Sequence, residues 1–398
     1  MVELRLLLAY GLSFLTLFAT VFFLLVFFEN RGRVRESPKP PKKLPSLTII
    51  IPAYNEEDGL AQTIQSVLDA DYKNGVKNII VVDDGSTDKT TLIARQFAKK
   101  HKNVTLIRQK NAGKARALNN ALSKTRTELV ATLDADSFIQ KDALLHMVGY
   151  FSDPEVAAVT PLMKVHQPKN VLEKLQRVEY LLTVFSRKLQ SFIHSVTVTP
   201  GPLSMFRRKI FDEMGGYDEG NILEDQEMAY RIQGRQYKIA SSLDAVVYTR
   251  VPKTLNALVN QRVRWHRGGI RNIIKHRYLV SPKYGDFGLL VMPLAILSIF
   301  AVFIVFLLLL YALFSGTVGE LFAYGLENVY LGLTPLHVLG VLIFIATVTW
   351  AYLGIRQIQG ESLSTPVLAL YLLIYTPLIT FFWLVTAFRE IKREKLRW

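Results

Sequence analysis

The stretch ELVATLDADS, residues 128–137, runs from a short apolar segment into two carboxylates, Asp134 and Asp136. Side chains of residues i and i+2 in an extended chain point to the same face. Both carboxylates can therefore bind one hard cation at the carboxyl end of a buried strand. Carboxylate oxygens suit Mg²⁺ or Mn²⁺, ions that usually keep water ligands and bridge to substrate phosphates. Most Asp-x-Asp pairs are solvated turn acids. Whether this pair binds a metal therefore has to be judged from the surrounding sequence.

Residues 45–283, which surround this stretch, contain no apolar run long enough to cross a membrane. Short, continuously apolar segments alternate there with helix-like segments. The alternation predicts an α/β fold whose mostly parallel sheet is covered by helices on both faces. We expect strands at 47–53, 78–82, 104–107 and 128–133, and helices at about 58–69, 88–100 and 113–124.

Polar side chains follow each of the four predicted strands. Ligands of parallel sheets bind at the carboxyl ends of the strands, and helix N-termini suit phosphate. Each cluster alone has an ordinary explanation as turn acids, a helix cap or a solvated helix face. Four clusters at four successive strand ends indicate a ligand site instead. In chain order they are Asn55, Glu56 and Glu57; Asp83 and Asp84; Lys114 and Arg116; and Asp134 and Asp136.

Three segments beyond these strands are also informative. Residues 171–194 have apolar positions at helical spacing with basic residues opposite. This pattern fits an amphipathic helix at a membrane surface and a core-packing helix equally well. Residues 196–208 are expected to form a strand and a Gly-Pro turn. Glu224 and Asp225 then precede a predicted helix, where a carboxylate is either a cap or a general base.

One face of a predicted helix over 260–269 carries Gln261, Arg264 and Trp265, which are spaced i, i+3 and i+4. Arginine and an indole together can bind a diphosphate and stack on a sugar. The alternative is an interfacial tryptophan among snorkelling arginines.

Composition narrows the class of protein. The 398 residues are 50% hydrophobic and carry a formal net charge of +15. The absence of cysteine excludes disulfides and thiolate metal sites, and the histidines lack the spacing of zinc ligands. Positive charge concentrates at 31–43 and at 250–283, and each block adjoins a long apolar segment. This arrangement indicates a membrane surface rather than nucleic acid.

Four apolar segments are long enough to span a bilayer. A helix over Leu6–Phe28 would be about 34 Å long, and the basic residues after it place the next region in the cytoplasm. A loop with Glu320 and Glu327 but no Lys or Arg suits the outer side. Four crossings would leave the basic tail 389–398 outside, so either the charge rule fails or one C-terminal segment is interfacial or re-entrant. The C-terminal segments are 288–314, 333–354 and 365–388.

Taken together, the sequence motifs resemble those of a known family. They resemble, in the same order, those of membrane-embedded family 2 glycosyltransferases, the group of cellulose, chitin, hyaluronan and poly-N-acetylglucosamine synthases. The likeness covers about residues 45–275 and the flanking membrane helices. The compact size and the stretch VPKTLNALVNQRVRWHRGG make the chain most similar to the poly-β-1,6-N-acetylglucosamine synthases. The motifs are DDGSTD, NxGKAxALN, DADS, the acid pair Glu224-Asp225 and QRVRW.

This resemblance implies a GT-A fold and inverting transfer from a nucleotide sugar, usually a UDP-sugar. Two departures are Leu223, where many relatives have Thr, and the single N-terminal helix, where several have two or more. The implied roles are uridine binding by Asp84 with Asn55 and Glu57 near it; donor binding by Lys114; metal binding by Asp134 and Asp136; general base catalysis by Asp225; acceptor binding by Glu224 and Trp265; and diphosphate binding by Gln261 and Arg264.

The leading hypothesis is a processive β-glycosyltransferase with Mg²⁺ or Mn²⁺, UDP-N-acetylglucosamine or UDP-glucose as donor, a polysaccharide acceptor and export through the membrane helices. The alternatives are a non-processive enzyme acting on a lipid carrier or glycolipid, and an inactive sugar-nucleotide sensor. We expect a multi-pass cell-membrane protein with a cytoplasmic catalytic domain and no nucleic-acid partner; an accessory subunit stays undefined. The expected regions are a transmembrane helix at 1–30, a basic linker at 31–44, the GT-A domain with interfacial helices at 45–283, and two to three spanning helices at 284–398.

Overall fold

The computed structural model describes residues 2–72, 77–314, 334–362 and 364–394. Helices and strands alternate in its first half as the sequence predicts. The helices are α1 Val2–Asn30, α2 Leu60–Leu68, α3 Thr90–Lys100, α4 Lys114–Ser123, α5 Ala143–Val148, α6 Val171–Phe192, α7 Arg208–Met214, α8 Glu224–Gly234, α9 Leu255–Lys275, α10 Met292–Phe314, α11 Pro335–Arg356, α12 Thr365–Leu370 and α13 Thr376–Ile391. The strands are β1 Leu47–Ala53, β2 Lys77–Asp83, β3 Val104–Arg108, β4 Leu129–Thr132, β5 Phe138–Ile139, β6 Val156–Val165, β7 Ser204–Arg207 and β8 Lys238–Thr249.

Within the described residues, eight strands form one sheet in the order β3-β2-β1-β4-β7-β6-β8-β5. The first four strands of this order are parallel to one another. Strand β7 is antiparallel to both β4 and β6, whereas β6 and β8 are parallel. The mostly parallel α/β sheet predicted from the sequence is therefore confirmed, and it has the GT-A arrangement.

The continuous apolar strands are buried because helices cover both faces of the sheet. In β1, Ile49 and Ile51 join one hydrophobic layer, and Ile50 between them joins the other. This alternation follows from the two-residue period of a strand. The first layer includes Leu60 and Ile64 of α2, and the second includes Leu118 of α4. A strand with both faces covered has no solvent-facing positions, which explains the unalternating sequence.

The predicted strand at 196–208 is shorter than expected. Only Ser204–Arg207 pairs with neighbouring strands. Pro200 and Pro202 precede it, and proline has no N–H to donate to a sheet ladder. Thr199 instead donates from its backbone N–H and its hydroxyl to the carbonyl oxygen of Asp225, at 3.3 and 2.8 Å. The segment therefore crosses the top of the sheet as a loop held against the start of α8.

Helix α6 lies between the sheet and the membrane helices. Phe185 is fully buried, with its ring 4.8 Å from that of Trp350 on α11 and 5.6 Å from that of Phe27 on α1. A Cβ added to Gly354 on α11 would lie 2.6 Å from the Phe185 ring. Such close contact favours the core-packing interpretation of residues 171–194 over a helix lying freely on the membrane surface.

Among the residues that the structure describes, four helical segments are long and apolar enough to cross a membrane: Leu6–Asn30, Phe287–Leu308, Pro335–Arg356 and Thr365–Ile391. The last segment contacts the soluble domain along its whole length. Just before it, Glu361 pairs with Arg177. Tyr375 in its middle donates to Glu179 at 2.7 Å, and Glu390 near its end pairs with Arg267. The expected outer loop with Glu320 and Glu327, and Lys395 and Arg397 of the tail, lie outside the described residues.

Candidate active site

A cavity of about 610 Å³ opens at the carboxyl ends of β1, β2 and β4, between α6, α8 and α9. Most side chains predicted from the sequence line it. Four of the predicted residues, Asn55, Glu57, Asp83 and Arg116, are absent from its lining. The predicted residues in the cavity wall are Glu56, Asp84, Lys114, Asp134, Asp136, Glu224, Asp225, Gln261, Arg264 and Trp265.

Asp84 is fixed by the loop that follows β3. Its carboxylate accepts hydrogen bonds from the backbone N–H groups of Ala112 and Gly113 at 2.9 and 2.8 Å, and from the Gln109 amide at 2.8 Å. Gly85 beside it has φ +79°, and a Cβ there would lie 2.7 Å from the Asn111 nitrogen. The glycine in DDGSTD is therefore required both by the backbone conformation and by the close approach of the two loops.

Asn55 and Glu57 join two loops rather than facing the cavity. The Asn55 side chain accepts from the Thr87 N–H at 2.8 Å, and Glu57 accepts from the Lys89 N–H at 3.0 Å. Glu56, between them, lines the cavity. The sequence stretch NEE marks this loop as polar, but it gives no signal for which of the three side chains points inward. A nucleotide-binding role for Asn55 and Glu57 stays a prediction.

Three carboxylates share one side of the cavity. Partial burial and the charge of Asp134 raise the pKa of Asp136 to about 6. Burial and the charges of Asp136 and Asp134 raise the pKa of Glu56 to about 7. Carboxylates crowded in this way repel one another and favour a bound cation. The donor set consists of oxygens, as Mg²⁺ and Mn²⁺ prefer.

The close packing around Asp134 is compatible with a divalent ion bound there. A Cβ added to Gly201 would lie 2.5 Å from Asp134 Oδ2 and 2.6 Å from Lys114 Nζ, so any larger residue there would displace these two side chains. No group of three His, Asp or Glu side chains converges on one point in the part of the chain that the structure describes. Substrate phosphate and water would therefore complete the coordination of an ion held by Asp134 and Asp136.

Replacing Gly201 tests this close approach. Gly201→Ala should lower the transfer rate about a hundredfold, since displacement of a positioned group by about 1 Å can have an effect of that size. Gly269→Ala is the matched control, because a Cβ there meets only Gln226 Oε1 at 3.7 Å. Rates and thermal unfolding of both variants would be measured. A Gly201→Ala enzyme as active as the control would contradict the role given to this contact.

Lys114 connects Asp134, one of the acids predicted to bind the metal, to the acid pair of α8. Its Nζ lies 2.6 Å from Asp134 Oδ1 and 3.1 Å from Glu224 Oε1. Burial alone would lower the pKa of Lys114, but the charges of Asp134, Glu224 and Asp225 outweigh it and raise this pKa above its usual value. Lys114 therefore stays protonated and supplies a fixed positive charge at the N-terminus of α4.

Asp225 stands in the first turn of α8 and lines the cavity. Burial and the neighbouring charge of Glu224 raise its pKa to about 7, although Lys114 opposes the shift. Its Oδ1 accepts from the Gln226 N–H at 2.7 Å. A carboxylate with a pKa near neutral is matched to taking a proton from a hydroxyl group.

Helix α9 places Gln261, Arg264 and Trp265 on the cavity wall, as their spacing predicts. Arg262, on the same helix, is buried behind the cavity wall. Its Nη2 lies 2.5 Å from Glu179 Oε2 and its guanidinium lies 4.1 Å from the centre of the Trp265 ring. The stacked arginine therefore holds the indole at the edge of the cavity.

Helix α6 supplies cavity residues that the sequence did not single out. Glu179, Thr183 and Arg187 line the cavity together with Tyr180. The first three are spaced i, i+4 and i+8, so they form one polar stripe on a largely apolar helix. This polar stripe is the sequence pattern that could have identified these cavity residues, although charged stripes on helices are usually solvated.

Comparison with known proteins agrees with this geometry. Residues 48–215 match the model of glycosyl transferase family 2. These residues are therefore a family 2 glycosyltransferase domain, and the protein is a glycosyltransferase.

The similar proteins include polysaccharide synthases. The chain is 29% identical over 289 residues to a poly-beta-1,6-N-acetyl-D-glucosamine synthase of Staphylococcus aureus (strain MSSA476), covering 71% of this chain and 68% of that protein. It is 30% identical over 230 residues to the synthase of the same name from Staphylococcus epidermidis, covering 57% and 55%. The mannosyltransferase PcManGT from Pyrobaculum calidifontis, solved in complex with GDP-Man and Mn²⁺, aligns with a TM-score of 0.63 at 20% identity, covering 98% and 99%. At that identity the last likeness shows the fold alone.

Proposed function

We propose that the protein extends a β-linked polysaccharide by inverting, metal-dependent transfer from a nucleotide sugar, with UDP-N-acetylglucosamine as the donor. One observation carries the proposal: Asp225, the pair Asp134 and Asp136, and Arg264 with Trp265 line a single cavity. The similarity to poly-β-1,6-N-acetylglucosamine synthases supports the polymeric product and the choice of sugar.

The residues divide into a donor set and an acceptor set. A divalent ion held by Asp134 and Asp136 would neutralise charge on the departing diphosphate. Arg264 and Gln261 bind the diphosphate from α9, and Asp84 orients the nucleotide base. Asp225 accepts the proton of the attacking hydroxyl. With one base and no covalent nucleophile, an α-linked donor gives a β-linked product.

A screen of donors tests the reaction directly. The purified full-length protein would be incubated with UDP- and GDP-sugars and either Mn²⁺ or Mg²⁺, and the linkage of each product would be determined. We expect transfer from UDP-N-acetylglucosamine in the presence of a divalent ion. Transfer from GDP-sugars alone, or full activity in the presence of a chelator, would refute the donor or the metal assignment.

We also propose that the chain crosses the cell membrane three times, with the catalytic domain and C-terminus in the cytoplasm. Helices α1 and α11 end at the soluble domain and α10 begins there. The segment Thr365–Ile391 lies along α6 and α9 through the contacts of Tyr375 and Glu390, so it is interfacial. This arrangement places the basic tail inside, in agreement with the charge rule, and explains why hydropathy alone suggests four crossings.

Reporter tags test this topology. A tag at the C-terminus should be accessible only from the cytoplasm, and a tag inserted at 320–325 only from outside. A single cysteine introduced in each tag would be labelled in intact cells to measure the accessibility of both. The natural chain has no cysteine, so only the introduced one would react. A C-terminal tag labelled from outside would show that Thr365–Ile391 spans the membrane.

Export of the product is a further part of the proposal. Helix α1 contacts both α10 and α11 beside α6, whose other side lines the cavity. We propose that the growing chain leaves along these helices. Polymer made by the protein in sealed vesicles should become resistant to a glycosidase added on the side of the catalytic domain; polymer that remains fully digestible would argue against export.

A further inference from the structure

The cavity wall formed by α6 carries a buried guanidinium with no role in the reaction outlined above. Arg187 is 3% exposed and lines the cavity. Its Nε and Nη1 have no hydrogen-bond partner among the described residues. A buried charge without a partner lowers the stability of a fold, so packing alone does not account for an arginine at this position.

Asp225 is the acid that acts most strongly on Arg187. Burial lowers the pKa of the arginine to about 10, and the charge of Asp225 opposes this shift. Within the part of the chain that the structure describes, no hydrogen bond or ion pair joins the two side chains. They line the same cavity without touching, as a ligand placed between them would require.

We propose that Arg187 binds an oxygen of the acceptor sugar, beside the hydroxyl that attacks the donor. A guanidinium has N–H donors and no acceptor, so it selects carbonyl, ring or hydroxyl oxygens. The donor is bound elsewhere in the cavity, by Asp134, Asp136 and Arg264. The assignment rests on the proposed function, because Asp225 marks the acceptor side only if it is the base.

Replacement of Arg187 separates binding from folding. In the full-length protein, Arg187→Met should raise the KM for a soluble oligosaccharide acceptor about tenfold or more, as the loss of a charged hydrogen bond predicts. The KM for the donor should stay within about twofold. The Tm should stay equal or rise, since an apolar side chain replaces an unpaired buried charge. Arg187→Lys should give an intermediate acceptor KM, because it keeps the charge but loses the planar fork.

Lys188→Met is the matched control. Lys188 is the next residue of α6 and is equally buried, at 3% exposed, but it does not line the cavity. Its Nζ donates to the Ser241 carbonyl oxygen at 2.9 Å. Its loss removes this buried hydrogen bond, so the Tm should fall while the acceptor KM is unchanged.

The outcomes distinguish this inference from the function on which it rests. If the wild-type protein transfers no sugar, the proposed function fails. If it does transfer sugar but Arg187→Met leaves the acceptor KM unchanged, or raises both KM values equally while lowering the Tm, the role of Arg187 is refuted. N-acetylated and de-N-acetylated oligosaccharides then identify the oxygen: an effect limited to the first assigns the acyl carbonyl, and an equal effect assigns a hydroxyl or ring oxygen.

Discussion

Asp225→Asn should lower kcat for transfer about a thousandfold while leaving donor binding intact. The asparagine side chain has nearly the same shape but cannot take a proton, and general base catalysis contributes about 10²–10⁴-fold. Its backbone carbonyl, which Thr199 holds at 2.8 Å, is unaffected by the substitution. Initial rates and UDP binding of the purified variant would be measured. An active Asp225→Asn enzyme would show that another group is the base.

The pH profile of the wild-type enzyme tests the role of Asp225 independently. The base must be unprotonated, and the pKa of Asp225 is raised to about 7 by burial and by Glu224. Activity should therefore rise with pH through this value and fall below it as Asp225 binds a proton. An acid limb near pH 4, where an ordinary carboxyl titrates, would show that the environment of Asp225 is not as described.

Asp136→Asn should lower transfer by about a hundredfold or more and remove the response to divalent ions. Asp136 and Asp134 are the side chains assigned to the ion, and one amide oxygen is a poor replacement for a carboxylate. In the wild-type protein, Mn²⁺ with UDP should raise the Tm, because a ligand that binds only the folded state stabilises it. The variant should show no such rise.

Asp142→Asn is a suitable control for the loss of a carboxylate. Asp142 lies outside the cavity, and its side chain is exposed apart from a 3.3 Å contact with His146. Activity and the Mn²⁺-dependent rise in Tm should match those of the wild type. A rise in Tm that persists in Asp136→Asn would place the ion elsewhere.

The first half of the fold could be predicted because its information is local. Each of β1 to β3 is a short apolar run followed by a helix, and parallel order follows from that alternation. The second half could not. Strand β7 enters the sheet antiparallel between β4 and β6, and β6 pairs with β8 across more than 70 residues of chain. Pairings of this kind depend on packing between distant segments.

The site residues likewise divide into those that local sequence predicts and those that depend on the tertiary fold. Asp84, Lys114, Asp134 and Asp136 were predictable because the carboxyl ends of neighbouring parallel strands meet. Glu56 could not be distinguished from Asn55 and Glu57, since hydrogen bonds from the loop after β2 decide which side chain turns inward. Arg187 could not be predicted, because its place in the cavity wall depends on how α6 packs in the tertiary fold.

The interfacial position proposed for Thr365–Ile391 could not have been predicted from hydropathy. Its composition and length equal those of a spanning helix. The polar contacts that hold it against α6 and α9 come from single residues, Tyr375 and Glu390, and they change its mean hydropathy little. Only the partners of those residues reveal that it lies along the catalytic domain.

The most direct test of the central claim is the product itself. The full-length protein, reconstituted in lipid with Mn²⁺, would receive labelled UDP-N-acetylglucosamine, and product length and linkage would be followed with time. We expect long β-linked chains while most acceptor ends remain unextended. A single sugar transferred to a lipid, with no longer product at any time, would contradict it.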